Sequence, residues 1–229
     1  MTKASAVVIG ASGGIGGAVV DRLRAFDRFA VIHALSRSGS GLDLEDEATI
    51  AAAAARVAGG PAPTLIFVAT GVLHHGQAPE RSYKAVTAEH LLRDYRVNTV
   101  GPALVAKHFA PLLPREERGV FAALSARVGS IGDNRLGGWH SYRASKAALN
   151  MILRNLAIEL ARTHSRAIIA GLHPGTVDTA LSQPFQKGVT PEKLFTPERS
   201  AQAMLAVLDG LTPADSGGVF AFDGARIPE

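Results

Sequence analysis

Six short apolar runs, with a helical stretch after each of the first five, constrain what this chain can fold into more than any other feature. They are SAVVIG (5–10), FAVIHALS (29–36), TLIFVAT (64–70), GVFAALS (119–125), RAIIAGL (166–172) and GGVFAF (217–222). The runs are continuous rather than alternating, so the strands they form must be covered on both faces. Between them apolar residues recur at helical spacing over 15–26, 43–59, 87–113, 141–164 and 196–210. Acids in the first turn of the second segment and Thr196-Pro197 at the head of the last are start signals. Strand and helix alternating to the end predict an α/β fold: a doubly wound parallel sheet in a single domain over residues 1–229. Pro102 and Pro111 are expected to disturb the long helix at 87–113. The one long irregular stretch, 173–195, is where a substrate lid could sit.

Composition narrows the classes. With 229 residues and 47% hydrophobic side chains, burying roughly 70 to 75% of the unfolded surface gives a core that needs no metal or disulfide. The absence of cysteine excludes disulfides, thiol catalysis and zinc-thiolate sites, and fits a reducing, cytoplasmic setting. The opening MTKASAVVIG lacks the apolar core and cleavage site of a secretory signal, and no apolar stretch approaches the roughly 20 residues of a membrane helix. The net charge of +4 is scattered, without interleaved aromatic rings, so neither nucleic acid nor membrane is an expected partner.

The first strand passes into the first helix through GASGGIG (10–16). Glycines there let main-chain N–H groups and the helix N-terminus meet a pyrophosphate, which makes Gly10, Gly14 and Gly16, with Ser12 and Ile15, candidates for holding a dinucleotide. After the second run comes LSRSGSG (35–41), where an NAD-selective site would place an acid against the ribose 2′-hydroxyl. Here Ser36 and Arg37 stand instead. A guanidinium pairs bidentately with a 2′-phosphate, so NADP(H) is the expected cofactor, with Asp43 against the adenine edge.

In SYRASK (141–146) Tyr142 and Lys146 lie four apart and share one helix face. For a tyrosine to exchange a proton near neutrality its pKa must fall by about 3 units, roughly 4 kcal/mol, and a fixed ammonium can supply part of that.

The glycine turn, VNTVG (97–101), SYRASK and HPGTVDT (173–179) occur in an order that resembles the short-chain dehydrogenase/reductase family in its single-domain, Rossmann-fold branch. The tract GSIGDNRLGGWHSYRASKAALN is similar to the carbonyl reductases of the sniffer and C-factor type. The resemblance implies hydride transfer between a nicotinamide and a carbonyl or alcohol, with Tyr142 as general acid or base. Lys146 would lower the phenol's pKa and bond the nicotinamide ribose, and Asn98 would hold a water relay. Thr70, Gly71, Pro174, Gly175, Val177 and Thr179 complete the implied cofactor site. It also implies a homodimer or homotetramer through the helices at 87–113 and 141–164.

Two positions depart from the family. VATG (68–71) replaces its NNAG, placing Ala69 at a bracing asparagine. SARVG replaces SSxxG, with Ala126 in the register of the substrate-polarising serine and Ser125 one residue earlier, on the opposite face of a regular strand. Either a bulge brings Ser125 into the site, or Ser130 supplies the hydroxyl, or none does. An NADP-binding regulatory protein with little catalysis is therefore the alternative function. The eight histidines, including the adjacent His74 and His75, lack metal-ligand spacing, so no metal is expected. His74, His140 and His173 are expected only to line the pocket.

Overall fold

In the computed structural model, which describes residues 4–74 and 78–229, all six apolar runs become strands of one parallel sheet. In chain order they are β1 (Ser5–Ile9), β2 (Val31–Leu35), β3 (Pro63–Val68), β4 (Gly119–Leu124) and β5 (Ala167–His173), then two short strands, β6 (Thr176–Val177) and β7 (Leu194–Phe195), and last β8 (Gly218–Ala221). The helices are α1 (Gly14–Ala25), the single turn α2 (Arg37–Ser40), α3 (Glu47–Ala58), α4 (Ala88–Tyr95), α5 (Gly101–Phe109), α6 (His140–Leu160) and α7 (Pro197–Gly210).

Successive strand residues face opposite sides, and both sides are core. Val7, Ile9, Ile66 and Phe121 pack with α3, α5 and α6, while Val8, Phe67, Val120 and Ile168 pack with α1 and α7. That is why the strands read as unbroken apolar runs. Truncating Phe67 or Phe121, both wholly buried, to alanine would cost about 3–5 kcal/mol. The six-strand order is β2-β1-β3-β4-β5-β8, so the winding reverses between β1 and β3 and opens a crevice at their C-terminal ends. The predicted doubly wound, Rossmann-like single domain is what forms.

The 87–113 segment breaks where proline chemistry requires. Pro102 has no N–H to give the carbonyl of Asn98, and just before it residues Arg96–Val100 widen into a π-helical turn in which the Gly101 N–H reaches the carbonyl of Arg96. Pro111 falls in a short 3-10 turn, Ala110–Leu112. The irregular stretch 173–195 holds β6 and β7, paired in parallel as a separate two-stranded ribbon.

The turn after β1 depends on two glycines. Gly10 has φ +86°, and a Cβ there would lie 2.8 Å from the Ala69 carbonyl oxygen. A Cβ on Gly16 would meet the Gly10 carbonyl oxygen at 2.2 Å, so the first turn of α1 sits flush on the loop only because no side chain intervenes.

Candidate active site

Tyr142 and Lys146 lie on the inner face of α6, both buried, where the C-terminal ends of β3 and β4 approach that helix. Lys146 Nζ donates to the carbonyl of Leu124, the last residue of β4, at 2.8 Å. It lies 5.8 Å from the centre of the Tyr142 ring. A Cβ on Gly71 would come 3.4 Å from both Lys146 Nζ and Asn98 Oδ1, so the buried amine lies directly behind a residue that lines the crevice.

The π-helical turn delivers Asn98. Its Oδ1 accepts the Val72 N–H at 2.8 Å, while Nδ2 donates to the Val72 carbonyl at 2.9 Å and to Ser145 Oγ at 3.0 Å. Thr99 Oγ1 donates to the Ser145 carbonyl at 2.8 Å, and Ser145 Oγ to that of Tyr142 at 2.8 Å. Asn98 therefore ties the loop after β3 to the turn of α6 that carries the phenol and the amine.

Burial pushes the Tyr142 phenol well above its usual pKa, and the charge of Asp94 adds to the shift. Burial lowers the Lys146 ammonium to about 8, with Asp94 opposing. In the protein alone, removal of the phenolate from water, with Asp94 adding, sets a direction opposite to the lowering expected of Lys146. Tyr142 keeps its proton at neutral pH.

The crevice, about 480 Å³, is lined by Gly10, Ser12 and Gly13 after β1, by Ser36, Arg37 and Asp43 after β2, and by Thr70 and Gly71 after β3. Ser36 Oγ caps the α2 turn by accepting the Gly39 N–H at 3.0 Å, and Arg37 projects exposed from that turn with no carboxylate partner among the described residues. Asp43 is held by two bonds to Thr49, its N–H to Thr49 Oγ1 and Thr49 Oγ1 to its carbonyl. Thr70 Oγ1 is buried without a partner among the described residues. The first turn of α1 has no side-chain cap at Gly13. Arg37, Thr70 Oγ1 and the start of α1 are therefore donors without protein acceptors among the described residues, at or beside the residues that line the cavity, which fits the polar parts of a dinucleotide.

On the far rim, a Cβ on Gly14 would lie 3.0 Å from the Thr179 methyl, so Thr179 sits against the glycine turn. Ile15 packs into the core behind it. The Pro174 carbonyl accepts Ser200 Oγ at 2.8 Å, pinning the turn through Gly175 (φ +79°) to α7. The carbonyl of Val177 accepts Thr179 Oγ1 at 3.4 Å.

Beyond the amine the cleft turns apolar. Leu73, Ala126 and Tyr142 pack with Val128, Trp139, Leu181 and Phe185. The Trp139 ring stands edge-on to Tyr142 at 6.2 Å and tilted against Phe185 at 5.2 Å. His74 joins this wall, 5.8 Å from Phe185, and its Nε2 lies 3.2 Å from the Ala180 carbonyl across the crevice mouth. His173 is half-buried at the end of β5, and loss of water around its ring, with help from Arg127, takes its pKa to about 4. His75 lies outside the described residues.

Ser125 does not reach this cleft. No bulge turns it: its N–H continues the β4–β5 ladder to the Leu172 carbonyl, and its Oγ donates to Asn150 Oδ1 at 2.6 Å. Ala126 is the residue that meets Tyr142, as strand alternation requires. Ser130 Oγ accepts the Asp133 N–H at 3.0 Å within its own loop. The expectation of Ser125 as a catalytic hydroxyl is therefore corrected: its Oγ makes a structural bond to Asn150. Ser125→Ala is expected to cost about 1 kcal/mol by leaving Asn150 without its donor, and to leave turnover unchanged. Thermal unfolding beside steady-state kinetics would check both. Asn150 was missed although it follows Lys146 by four residues on the same face, a spacing that could have found it. The aromatic wall had no such signal, because Phe185 and Trp139 meet only through the fold.

Residues 36–190 match the short chain dehydrogenase family. An uncharacterized oxidoreductase of Schizosaccharomyces pombe is 35% identical over 162 residues, 66% of this chain and 60% of that protein, so the chain spans less than two thirds of that relative's length. The NADPH-bound carbonyl reductase from chicken fatty liver superposes with a TM-score of 0.79 at 25% identity, over 100% of this chain and 99% of the other. The carbonyl reductase Sniffer of Drosophila melanogaster gives a TM-score of 0.81 at 21% identity, with 100% of both chains covered, a likeness of fold.

Proposed function

The chain belongs to the short-chain dehydrogenase family, and from that premise we propose that it is an oxidoreductase that reduces carbonyl compounds with NADPH, Tyr142 serving as the proton donor. The observation that carries this reading is the buried Lys146 amine, 5.8 Å from the Tyr142 ring centre, lying under Gly71, a residue that lines the crevice. The glycine turn, with Ser12 and the uncapped start of α1, would hold the pyrophosphate. Arg37 would hold the 2′-phosphate, Asp43 the adenine edge, and Thr70, Gly71 and Thr179 the nicotinamide end. NADPH in the chicken reductase supports the choice of cofactor.

Bound there, a reduced nicotinamide supplies a hydride to a carbonyl carbon. As charge develops on the carbonyl oxygen, the Tyr142 phenol gives it a proton, and in the oxidative direction the phenolate takes one back. Lys146, anchored on the Leu124 carbonyl, keeps a cation beside the phenol as it loses that proton. Asn98 holds Val72, and with it the loop bordering the amine, in place. The aromatic wall keeps water from the reacting carbonyl.

The test is NADPH absorbance with a panel of aldehydes, ketones and quinones. Oxidation of NADPH is expected, with kcat/KM falling as pH rises past about 8. The sign follows from Lys146: its ammonium, with a pKa lowered to about 8, loses its proton there and no longer favours the charge left on the phenol. A flat profile through pH 9 would remove Lys146 from the mechanism.

Ala126 favours a second reading. With Ala126 rather than a serine packed on Tyr142, and the Ser125 hydroxyl given to Asn150, polarisation of the carbonyl would fall largely on the phenol, and an NADP-binding regulatory protein with little catalysis becomes the alternative. NADPH that quenches Trp139 emission yet is never oxidised would select it. One domain would carry both cofactor and substrate sites. Leu92 and Tyr95 on α4 and Met151 and Ile158 on α6 are exposed, and we read them as a surface for a homodimer or homotetramer, which light scattering would test. Among the described residues no helix is long and apolar enough to cross a membrane, and a cysteine-free chain suits the cytoplasm we propose.

A further inference from the structure

The helix that carries Tyr142 begins under strain and without a cap of its own. Trp139, its N-cap residue, has φ +51°, in the left-handed region that side-chain-bearing residues rarely adopt, and it makes no side-chain cap bond. Such a conformation persists only where its surroundings dictate it. Here they are one residue from a distant segment, Glu80, in the loop between β3 and α4.

The Glu80 carbonyl accepts the Trp139 N–H at 2.5 Å, and a Cβ on Gly138 would lie 3.4 Å from the same oxygen. Its carboxylate accepts the Ser141 N–H at 3.3 Å and the Ser141 hydroxyl through Oε1. A side chain from outside the helix thus does the work of an N-cap.

Glu80 is only 3% exposed, and polar side chains of α4 lie beside its carboxylate. His90 Nδ1 on α4 lies 3.5 Å from Glu80 Oε1, and His90 Nε2 lies 3.8 Å from Asp94 Oδ1, one turn further along that helix. Arg93 reaches the same Asp94 oxygen at 3.3 Å. Burial pushes the Glu80 carboxyl up, but the Ser141 bonds and the His90 ring outweigh it and hold the group below the ordinary carboxylate range. His90, Asp94 and Asn98 recur at intervals of four along α4 and its π-helical extension. Ser141 and Ser145 recur likewise on α6, and the two helices pack together. The buried charges therefore lie in the same seam that ends at Asn98. Among the described residues no group of His, Asp and Glu is placed to hold a metal ion, so coordination does not account for the cluster.

We propose that Glu80 is a positioning residue for the reaction: by capping α6 from outside, it holds the strained Trp139 and the adjoining Tyr142 in register with the crevice. The part of this that concerns turnover rests on the reductase reading above. The part that concerns geometry does not, because Trp139 is the only tryptophan of the chain and its emission reports the start of α6 without any substrate.

The experiment compares the wild type with Glu80→Ala and Glu80→Gln, each confirmed folded by far-UV circular dichroism. It measures acrylamide quenching of Trp139, NADPH dissociation constants and the separate kcat and KM of carbonyl reduction. In Glu80→Ala the quenching constant is expected to rise about twofold and kcat to fall about tenfold, with NADPH affinity held within about twofold, as for a donor displaced by a fraction of an ångström. Glu80→Gln, which still presents an acceptor to Ser141, is expected to restore most of both. If Glu80→Ala does not fold, Glu80→Asp, one methylene shorter, takes its place with the same expectations.

Wild-type quenching together with wild-type kcat in the folded Ala or Asp variant overturns the proposal. So does a Gln variant as slow as Ala whose Trp139 is undisturbed, because then charge rather than position matters. A wild type that turns over no carbonyl sinks the reductase reading instead, and Trp139 quenching alone then judges Glu80.

Discussion

Replacing Tyr142 with phenylalanine is expected to lower kcat by about 10²- to 10⁴-fold, the usual worth of a positioned general acid, while NADPH affinity stays near its wild-type value. The separation follows from what the phenol oxygen touches. Among the described residues it takes no hydrogen bond from the protein, so its loss leaves no donor or acceptor orphaned. The ring keeps its edge-on contact with Trp139 and its place beside Ala126 and Leu73. Lys146 is anchored on the Leu124 carbonyl, not on the phenol, so the crevice floor stays as it is. The phenylalanine variant should therefore fold and bind cofactor normally, and fail only at proton delivery. Single-turnover reduction beside fluorescence titration with NADPH would read both quantities. Undiminished turnover would mean that the proton comes from elsewhere. Because burial holds the phenol's pKa above its usual range, it enters the reductive direction already protonated.

The second large effect is expected at Arg37. Arg37→Ala should weaken NADPH by roughly 10- to 100-fold, the equivalent of losing a charge-assisted hydrogen-bonded pair worth about 1.5–3 kcal/mol, and should leave NADH within a few-fold. Arg37 is exposed at the crevice rim, and the turn beneath it is held by Ser36, so the substitution removes a guanidinium without disturbing the backbone. Stability should not change. Equal weakening of both cofactors would show that the arginine does not read the 2′-phosphate, and the specificity would have to be sought elsewhere on the loop. Raising the salt concentration should narrow the difference between wild type and variant for NADPH alone, since only that interaction is between full charges.

The layer order of the fold was legible because its signal is local and repeated. A strand buried on both faces must be apolar at every position, and Val7-Val8-Ile9 and Ile66-Phe67-Val68 divide alternately between the two cores. The glycine turn was legible for a related reason: at Gly10 and Gly16 the backbone comes so close to itself that only one residue type fits. Tyr142 and Lys146 could be paired from spacing alone, since four residues is one helical turn.

Other features had no local signature. The sequence could place Ala126, rather than Ser125, in the register facing the phenol. Whether a bulge would overturn that register was decided by the β4–β5 ladder, which runs on through the Ser125 N–H, and by Asn150, which takes the hydroxyl. The break at Arg96–Val100 was foreshadowed by Pro102, but its form, a π turn that sends Asn98 to Val72, depended on a loop 26 residues away.

What the sequence by itself determined is therefore the sheet, its two covering layers, the glycine turn after the first strand and the shared helix face of Tyr142 and Lys146. Each is written in periodicities or steric exclusions that act within a few residues. What only the tertiary structure decided is the surroundings of the candidate site: the burial that raises the Tyr142 pKa, the bond that takes the Ser125 hydroxyl to Asn150, and the cap that Glu80 brings to α6 from 61 residues away. Desolvation and hydrogen bonding depend on which atoms surround a group in space, and residues distant along the chain leave no pattern in it from which those surroundings could be read.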